Sequence, residues 1–443
     1  MLWFDISETR NWTLPPTGIV RVEIEIGRRL IATYGHRVRL CSYQDSQFVP
    51  VQKEEHLDQA ARLQHGAVVS AGPGGNMLAR HLKWVYGFLL RRGPRPLRPL
   101  AQFAVRLAKR SLLSIAQRKS GQAGGDGRRQ HLMRDTCFAP GDVYVSASGD
   151  WAPAGKLKQV SRIREQGVRT ILLCHDLIPV LFPELCRREV IELFDGYPAA
   201  LAAAADTVMC DSNNTKSDLE GYLSLHDLPH PRLMTIPLGA DHEAVEADGS
   251  RLASSLGRDF ILYVSTLERR KNHETIYRAY VKAREERGVA PPLCVFAGSP
   301  GWGAEQVIAD IEADARVNRD FLLLNRVTDS ELQWLYQHCL FTIYPSLYEG
   351  WGLPIVESLR NGKFVISSNS SSLPEAGGAF VEYADPKCPD AWADRILYYA
   401  GNRSALREKE DIIRRSYVPI SWQETLDMLT GEIKRLSHDL AQH

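Results

Sequence analysis

The sequence predicts an α/β protein built from two open, doubly wound parallel sheets. Three observations carry that expectation. Short apolar runs alternate with helical patterns over almost the whole length, which is how parallel strands covered by helices read. The 443 residues exceed what one hydrophobic core ordinarily organises. Their 44% hydrophobic and 24% charged content is enough for two large cores.

In the first half, Leu2–Ile6, Val38–Ser42, Val143–Ser146, Thr170–Cys174, Thr207–Cys210 and Leu233–Ile236 read as strands. Between the first two, a helix is expected from near Thr17 to Gly35, with Ile19, Val22, Ile26 and Leu30 on one face and Arg21, Glu25, Arg28 and Arg29 opposite. The alternation of Val22 to Ile26 also fits a strand, but the length and the stop signal favour helix. After the polar stretch His242–Ser255, read as an interdomain linker, come strands Phe260–Val264, Leu293–Ala297, Phe321–Leu324, Phe341–Tyr344 and Phe364–Ser367. They alternate with helices over His273–Gly288, Ala304–Ala315, Asp329–Cys339 and Leu353–Gly362, and a closing helix is expected over Ser421–Leu436. The expected division is therefore residues 1–241, with a basic insertion at about 80–129, then 258–415, then a closing helix within 416–443. Open sheets of this kind take ligands at the carboxyl ends of their strands, so a cleft between two of them is the expected active site.

The formal net charge of +1 gives no hint of a polyanionic partner, and no nucleic acid is expected. Eight scattered cysteines without a CxxC pair predict reduced core thiols rather than a disulfide framework or a zinc site. Met1-Leu-Trp-Phe-Asp5 reaches an acid too soon for a signal peptide, and no apolar run approaches the roughly 18 residues of a membrane span. A cytoplasmic location is expected.

The segment richest in chemistry is Pro345-Ser-Leu-Tyr-Glu349-Gly350-Trp351-Gly352-Leu353-Pro-Ile-Val-Glu357. It places two carboxylates eight positions apart across a strand-to-helix turn, so that both can face one ligand. Gly350 and Gly352 expose backbone amides near a helix N-terminus, a natural place for phosphate or sugar oxygens. Carboxylates in turn accept from vicinal sugar hydroxyls. The segment resembles the motif of two glutamates separated by seven residues in the family-4 glycosyltransferases of the GT-B fold. Ser370-Ser-Ser-Leu-Pro-Glu375 and Gly377-Gly378 extend the resemblance.

That resemblance implies that Glu357 holds the nucleotide ribose and that Glu349 contacts the donor hexose. It places Lys271, in Tyr263-Val-Ser-Thr-Leu-Glu268-Arg-Arg-Lys271, on the leaving diphosphate, with Arg270 or Arg269 assisting. A fixed cation there stabilises charge that grows as the glycosidic bond breaks. Arg269 stands where relatives usually carry proline, and Ser265 where many carry glycine. The turn around Val327 implies a base-binding contact, although Thr328 or Asp329 would equally serve as a helix N-cap there. In the first domain, His175 and Asp176 end a strand. The resemblance gives His175 a sugar contact and Asp176 an acceptor-hydroxyl or structural role. Gly18 would allow close backbone approach to the diphosphate or the acceptor, and Arg21 either helps there or faces solvent. Phe296-Ala-Gly298-Ser-Pro-Gly301-Trp-Gly303 has the wrong spacing for a dinucleotide fingerprint and is expected to let the backbone approach the donor or the opposite domain.

No DxD motif and no His/Cys cluster is seen, so no metal or other cofactor is expected. The resemblance implies a retaining, metal-independent transfer by front-side attack, in which the departing phosphate takes the acceptor proton. It points to bacterial mannosyl- or rhamnosyltransferases of surface-polysaccharide (O-antigen or capsule) assembly. The expected substrates are a GDP-linked mannose or 6-deoxyhexose and a lipid-linked or growing glycan. A GT-B epimerase, a phosphorylase or a non-catalytic assembly protein are the alternatives. Between Arg80 and Arg129 the only acid is Asp126, and aromatic and aliphatic residues interleave with the cations. Such a stretch reads as a peripheral contact with anionic lipid at the inner face of the cytoplasmic membrane, or as a solvated insertion.

Overall fold

The computed structural model describes residues 1–12, 18–52, 137–241, 246–253 and 256–439. The basic segment 80–129 and the Pro16–Thr17 turn lie outside the described residues. Two sheets organise the rest. The first has the order β3-β2-β1-β4-β5-β6-β7, from β1 (Leu2–Asp5), β2 (Val38–Gln44), β3 (Gln47–Val51), β4 (Val143–Ser146), β5 (Arg169–Cys174), β6 (Thr207–Cys210) and β7 (Arg232–Thr235). All its pairings are parallel except that of β3 with β2. The second has the order β10-β9-β8-β11-β12-β13, all parallel, from β8 (Phe260–Val264), β9 (Leu293–Ala297), β10 (Phe321–Leu324), β11 (Thr342–Tyr344), β12 (Val365–Ser368) and β13 (Val381–Ala384).

The helix after β1 runs Ile19–Tyr34, so the helical reading of its alternating stretch holds. Val22, Ile26 and Leu30 enter the core beneath the first sheet. The expected polar face is not wholly solvated, since Glu25 is buried beside Arg29 and Glu23 is buried outright. The linker expectation is corrected for residues 246–253, which dock on the second domain. A Cβ on Gly249 would lie 2.2 Å from the Trp334 indole, Leu252 is buried, and Arg251 bonds Glu331 through Nη2 at 2.8 Å.

The closing helix spans Trp422–Asp439 and starts with a reciprocal cap in which Ser421 Oγ accepts from Glu424 N and the Ser421 amide donates to Glu424. It packs on the first domain, joining Leu426, Leu429 and Ile433 to the core of Val22, Ile26 and Leu30. Thr425 Oγ1 donates to the Pro237 carbonyl at 2.8 Å. Gly239 lies so close to the start of this helix that a Cβ would sit 2.3 Å from the Trp422 nitrogen. All eight cysteines are free, and five of them are buried. Among the described residues, no helix is long and apolar enough to cross a membrane.

Candidate active site

β8 and β11 are neighbours at the centre of the second sheet, and the chain continues from them to opposite sides, to β9 and to β12. The crevice at such a switch point is where an open sheet offers its loops to a ligand. After β8, a single turn Arg269–Lys271 and Asn272 in left-handed conformation (φ 59°) lead into the helix His273–Glu285. After β11, the loop to Gly352 leads into the helix Leu353–Arg360. Asn272 Nδ2 ties the two connections together by donating to the carbonyls of Pro345 and Pro386, at 3.0 and 2.8 Å.

This frame fixes Glu349 between two cations. Lys271 Nζ donates to Oε1 at 2.6 Å and Arg270 Nη1 to Oε2, and Arg270 also donates to the Tyr348 carbonyl at 2.8 Å. Ser371 Oγ accepts the Glu349 amide and Ser372 Oγ donates to its carbonyl, each at 2.9 Å, so the backbone is held as well. Burial alone would raise the Glu349 carboxyl, but Arg270 and Lys271 pull it down to about 2. Burial and the Arg270 charge lower Lys271 against the attraction of Glu349. Arg269 turns away and bonds the Glu184 carbonyl at 3.3 Å, which leaves Arg270 as the arginine of the cluster.

Glu357, one turn into its helix, has a partner on each oxygen. Tyr336 donates to Oε2 at 3.0 Å from within the second domain, and Arg21 Nη1 donates to Oε1 at 2.9 Å from the first. Arg21 therefore does not face solvent. Sequence reasoning left it open and missed Tyr336, which sits in the last turn of the helix Asp329–His338 with nothing in its sequence surroundings to mark it.

Across the cleft, His175 follows β5. Its Nδ1 meets Asp211 Oδ2 at 2.8 Å and its Nε2 meets the Ala147 carbonyl at 3.1 Å, so both ring nitrogens are committed within the first domain. A carbonyl only accepts, which puts a proton on Nε2. Burial opposes charge on the ring, yet Asp211 and the Ala147 carbonyl lift it to about 9. Burial raises Asp211 too, but the imidazolium beside it favours the carboxylate, so the two form an ion pair. Asp176 accepts from the Ile178 amide at 3.0 Å and feels the charge of Arg270. The His175 carbonyl, not its ring, reaches the opposite domain. A Cβ on Gly350 would lie 2.1 Å from that oxygen, so only glycine fits between the two domains here.

Beneath these residues lies a buried network that the sequence did not reveal. Lys156 Nζ bonds Asp150 at 2.6 Å and Asp5 at 2.9 Å, with all three side chains fully buried. Tyr144 donates to Asp5 at 2.5 Å. Glu23 accepts from the Thr9 amide at 2.7 Å and from Ser148, and burial, with Asp5 adding, lifts its carboxyl to about 7.

Residues 246–417 match the family of glycosyl transferases group 1. They form a glycosyl transferases group 1 domain. The chain is 27% identical over 235 residues to the O-antigen chain mannosyltransferase B of Escherichia coli, covering 52% of this chain and 60% of that protein. It is 29% identical over 219 residues to the serotype-specific mannosyltransferase WbdA of Escherichia coli, covering 47% of this chain and 26% of that protein. The chain thus spans less than two thirds of the length of either relative. Among solved structures, a glycosyltransferase from Rickettsia africae superposes with a TM-score of 0.57 at 13% identity, covering 98% of both chains. Anabaena HepE in complex with UDP gives 0.57 at 13% identity, over 98% of this chain and 99% of that one. The fold is GT-B.

Within the group 1 domain, Gly352 is the N-cap of the Leu353–Arg360 helix, which has no side-chain cap, and Leu353 packs against the core shared with the first domain. Trp351 is buried, and its indole N–H has no acceptor among the described residues. Val327 follows β10 beside Arg326, which is in left-handed conformation (φ 59°), and packs towards Leu252 and Leu335. The cap of the next helix is Thr328, in a box with Glu331. Gly298 and Gly301 are close approaches within their own domain, where a Cβ would lie 1.9 Å from the Ser265 carbonyl oxygen and 2.7 Å from that of Leu267. The group 1 domain is clasped to the first domain by Glu375, whose carboxylate accepts the Asn213 and Asn214 amides at 2.7 and 2.8 Å at the start of the helix Asn213–Leu225. Thr215 adds a bond to the Gly350 carbonyl at 3.2 Å. Gly18 starts the Ile19–Tyr34 helix at a positive φ of 52°, with open space where a side chain would be. Among the described residues, no three His, Cys, Asp or Glu side chains are grouped to hold a metal ion.

Proposed function

We propose that this protein is a retaining hexosyltransferase that moves a sugar from a nucleotide-sugar donor to a glycan acceptor in bacterial surface-polysaccharide assembly. The observation that carries the reading is the Lys271–Glu349–Arg270 cluster at the switch point of the group 1 domain, on the loop that leads into the helix of Glu357, with Asp176 feeling the charge of Arg270. Glu357 suits the ribose hydroxyls. Lys271 and Arg270 are positioned to offset charge on a diphosphate as the bond from the anomeric carbon to its phosphate oxygen breaks. Glu349, ionised at any working pH, accepts from donor hexose hydroxyls and orients the two cations. The new bond from the acceptor oxygen forms on the same face as the bond to phosphate breaks, and the acceptor proton passes to the departing phosphate oxygen, so the step needs no protein nucleophile; that it runs without a metal is part of the proposal. The names of the O-antigen relatives favour mannose as the sugar; GDP as its carrier, a 6-deoxyhexose as the other candidate and a lipid-linked or growing glycan as acceptor belong to the proposal. His175, with its ring committed to Asp211 and Ala147, approaches the sugar through its backbone, while Asp176 serves an acceptor hydroxyl.

The test is to supply GDP-mannose, GDP-linked 6-deoxyhexoses and UDP-hexoses with and without a short mannan acceptor. Release of nucleoside diphosphate only when acceptor is present, with an axial product linkage from an axial donor, supports transfer. Release onto water or phosphate, or isomerisation of the donor alone, supports a hydrolase, phosphorylase or epimerase instead. The basic segment 80–129 is proposed to hold the enzyme at the cytoplasmic membrane surface, so sedimentation with anionic vesicles should fall as salt shortens the Debye length below about 8 Å. Failure to sediment at low salt removes that part of the reading.

A further inference from the structure

Arg21 is a charge that the donor site described above does not use. It lies in the first turn of the Ile19–Tyr34 helix, and its guanidinium is bonded to Glu357, 336 residues away in the other domain. The two partners of Glu357 differ in kind. Tyr336 is a neutral donor, fully enclosed in the core of the group 1 domain. Arg21 carries a full charge on a long side chain, 19% exposed, and reaches in from the facing domain. A guanidinium has five N–H groups in a planar fork and pairs with phosphate as readily as with carboxylate. A ribose presents vicinal hydroxyls, which suit a carboxylate and have no use for a second cation.

We propose that Arg21 is a donor-binding residue supplied by the first domain, whose guanidinium passes from Glu357 to the donor diphosphate when the ribose takes its place on Glu357. The proposal rests on the donor reading above. The exchange is balanced in charge: the carboxylate gives up a cation and gains hydroxyl donors, and the cation exchanges one anion for another. The 5′-phosphate hangs from C5′, one carbon off the ring that carries the ribose hydroxyls, so a long arginine side chain anchored at Glu357 Oε1 has only a few ångströms to move to meet the diphosphate. The surroundings of Arg21 favour an anion as well. No acidic residue stands in the first turn of its sixteen-residue helix, and Gly18 caps it without a side chain, so the positive end of the helix adds to the guanidinium.

The test compares the wild type, Arg21→Gln and Arg21→Lys in calorimetric titrations with GDP and UDP, and with guanosine and uridine measured by competition. Arg21→Gln should weaken binding of the preferred diphosphate about tenfold, the scale of one lost charge-assisted contact. Its affinity for the matching nucleoside should be unchanged or higher, because Glu357 is freed. Arg21→Lys, which keeps the charge and loses the fork, should fall between the two. Equal losses for diphosphate and nucleoside would make Arg21 a structural tie and overturn the proposal, as would a diphosphate affinity equal to or above that of the wild type. A wild type that binds neither GDP nor UDP overturns the donor reading itself, and this inference with it.

Discussion

The carboxyl ends of the two sheets carry charge in opposite ways. In the first domain, Asp5, Asp150 and Lys156 pair inside the protein with no exposed surface, and His175 and Asp211 lie just beneath it. In the group 1 domain, Glu349, Arg270 and Lys271 keep between 14% and 18% of their side chains exposed, and Glu357 keeps 10%. A fully enclosed ion pair leaves no room for a hydroxyl or a phosphate and can only shape the backbone above it. A cluster at the rim of a cleft can exchange a protein partner for a ligand without unfolding anything. The same doubly wound frame thus supplies a scaffold on one side and exchangeable chemistry on the other.

Four measurements bear on that contrast, beginning with the largest expected effect. Lys156→Ala strands two buried carboxylates, and removing one partner of a buried pair costs about 3–5 kcal/mol. Denaturant unfolding should show that loss, and a change below about 1 kcal/mol would mean that water reaches the network. Next comes pH. Glu23 keeps its proton in the folded protein up to about 7, whereas an unfolded chain releases it near 4.5. Between those values the unfolded state binds fewer protons, so stability falls as pH rises, by up to about 3 kcal/mol at roughly 1.4 kcal/mol per unit. Thermal melts of Glu23→Gln from pH 5 to pH 8 should lack that decline, and a curve parallel to the wild type would place the decline elsewhere.

The rim should respond in kinetics rather than stability. Lys271→Ala is expected to lower kcat on the order of 100-fold with a smaller change in donor KM if, as proposed, its charge acts as the diphosphate departs. A change confined to KM would reduce it to a ground-state contact. Tyr336→Phe removes one hydroxyl from Glu357 and should raise donor KM about three- to tenfold at nearly constant kcat, the scale of one hydrogen bond. Loss of kcat alone would show that Tyr336 serves the reaction rather than the ribose carboxylate.

The contrast also explains what could be read from the sequence. The rim was legible because its residues lie close together in the chain, with Arg270 beside Lys271 and Glu349 eight positions before Glu357. The scaffold was not, because Asp5, Asp150 and Lys156 meet only when β1 and β4 pair, and a single lysine after Pro153-Ala-Gly carries no local signal. The same limit hid Arg21, whose partner is 336 residues away. Strands were legible where both faces are buried. β5 and β9 are apolar runs, whereas β3 contains Pro50 and pairs only at the edge, and β13 reads Val-Glu-Tyr-Ala, half polar at the edge of the second sheet beside β12. The linker misled because Ser, Asp and Gly look mobile in sequence, although Leu252 and Gly249 are what dock it.

The closing helix has a consequence for the order of folding during synthesis. Leu426, Leu429 and Ile433 complete the core under the first sheet, yet they are translated roughly 190 residues after β7 ends. At about 5–20 residues per second, a nascent first domain waits on the order of 10–40 s with part of its hydrophobic face uncovered. The group 1 domain emerges complete before that wait is over. It is therefore available as a folded neighbour, through Glu375 and Gly350, on which the unfinished domain can rest until its last helix arrives.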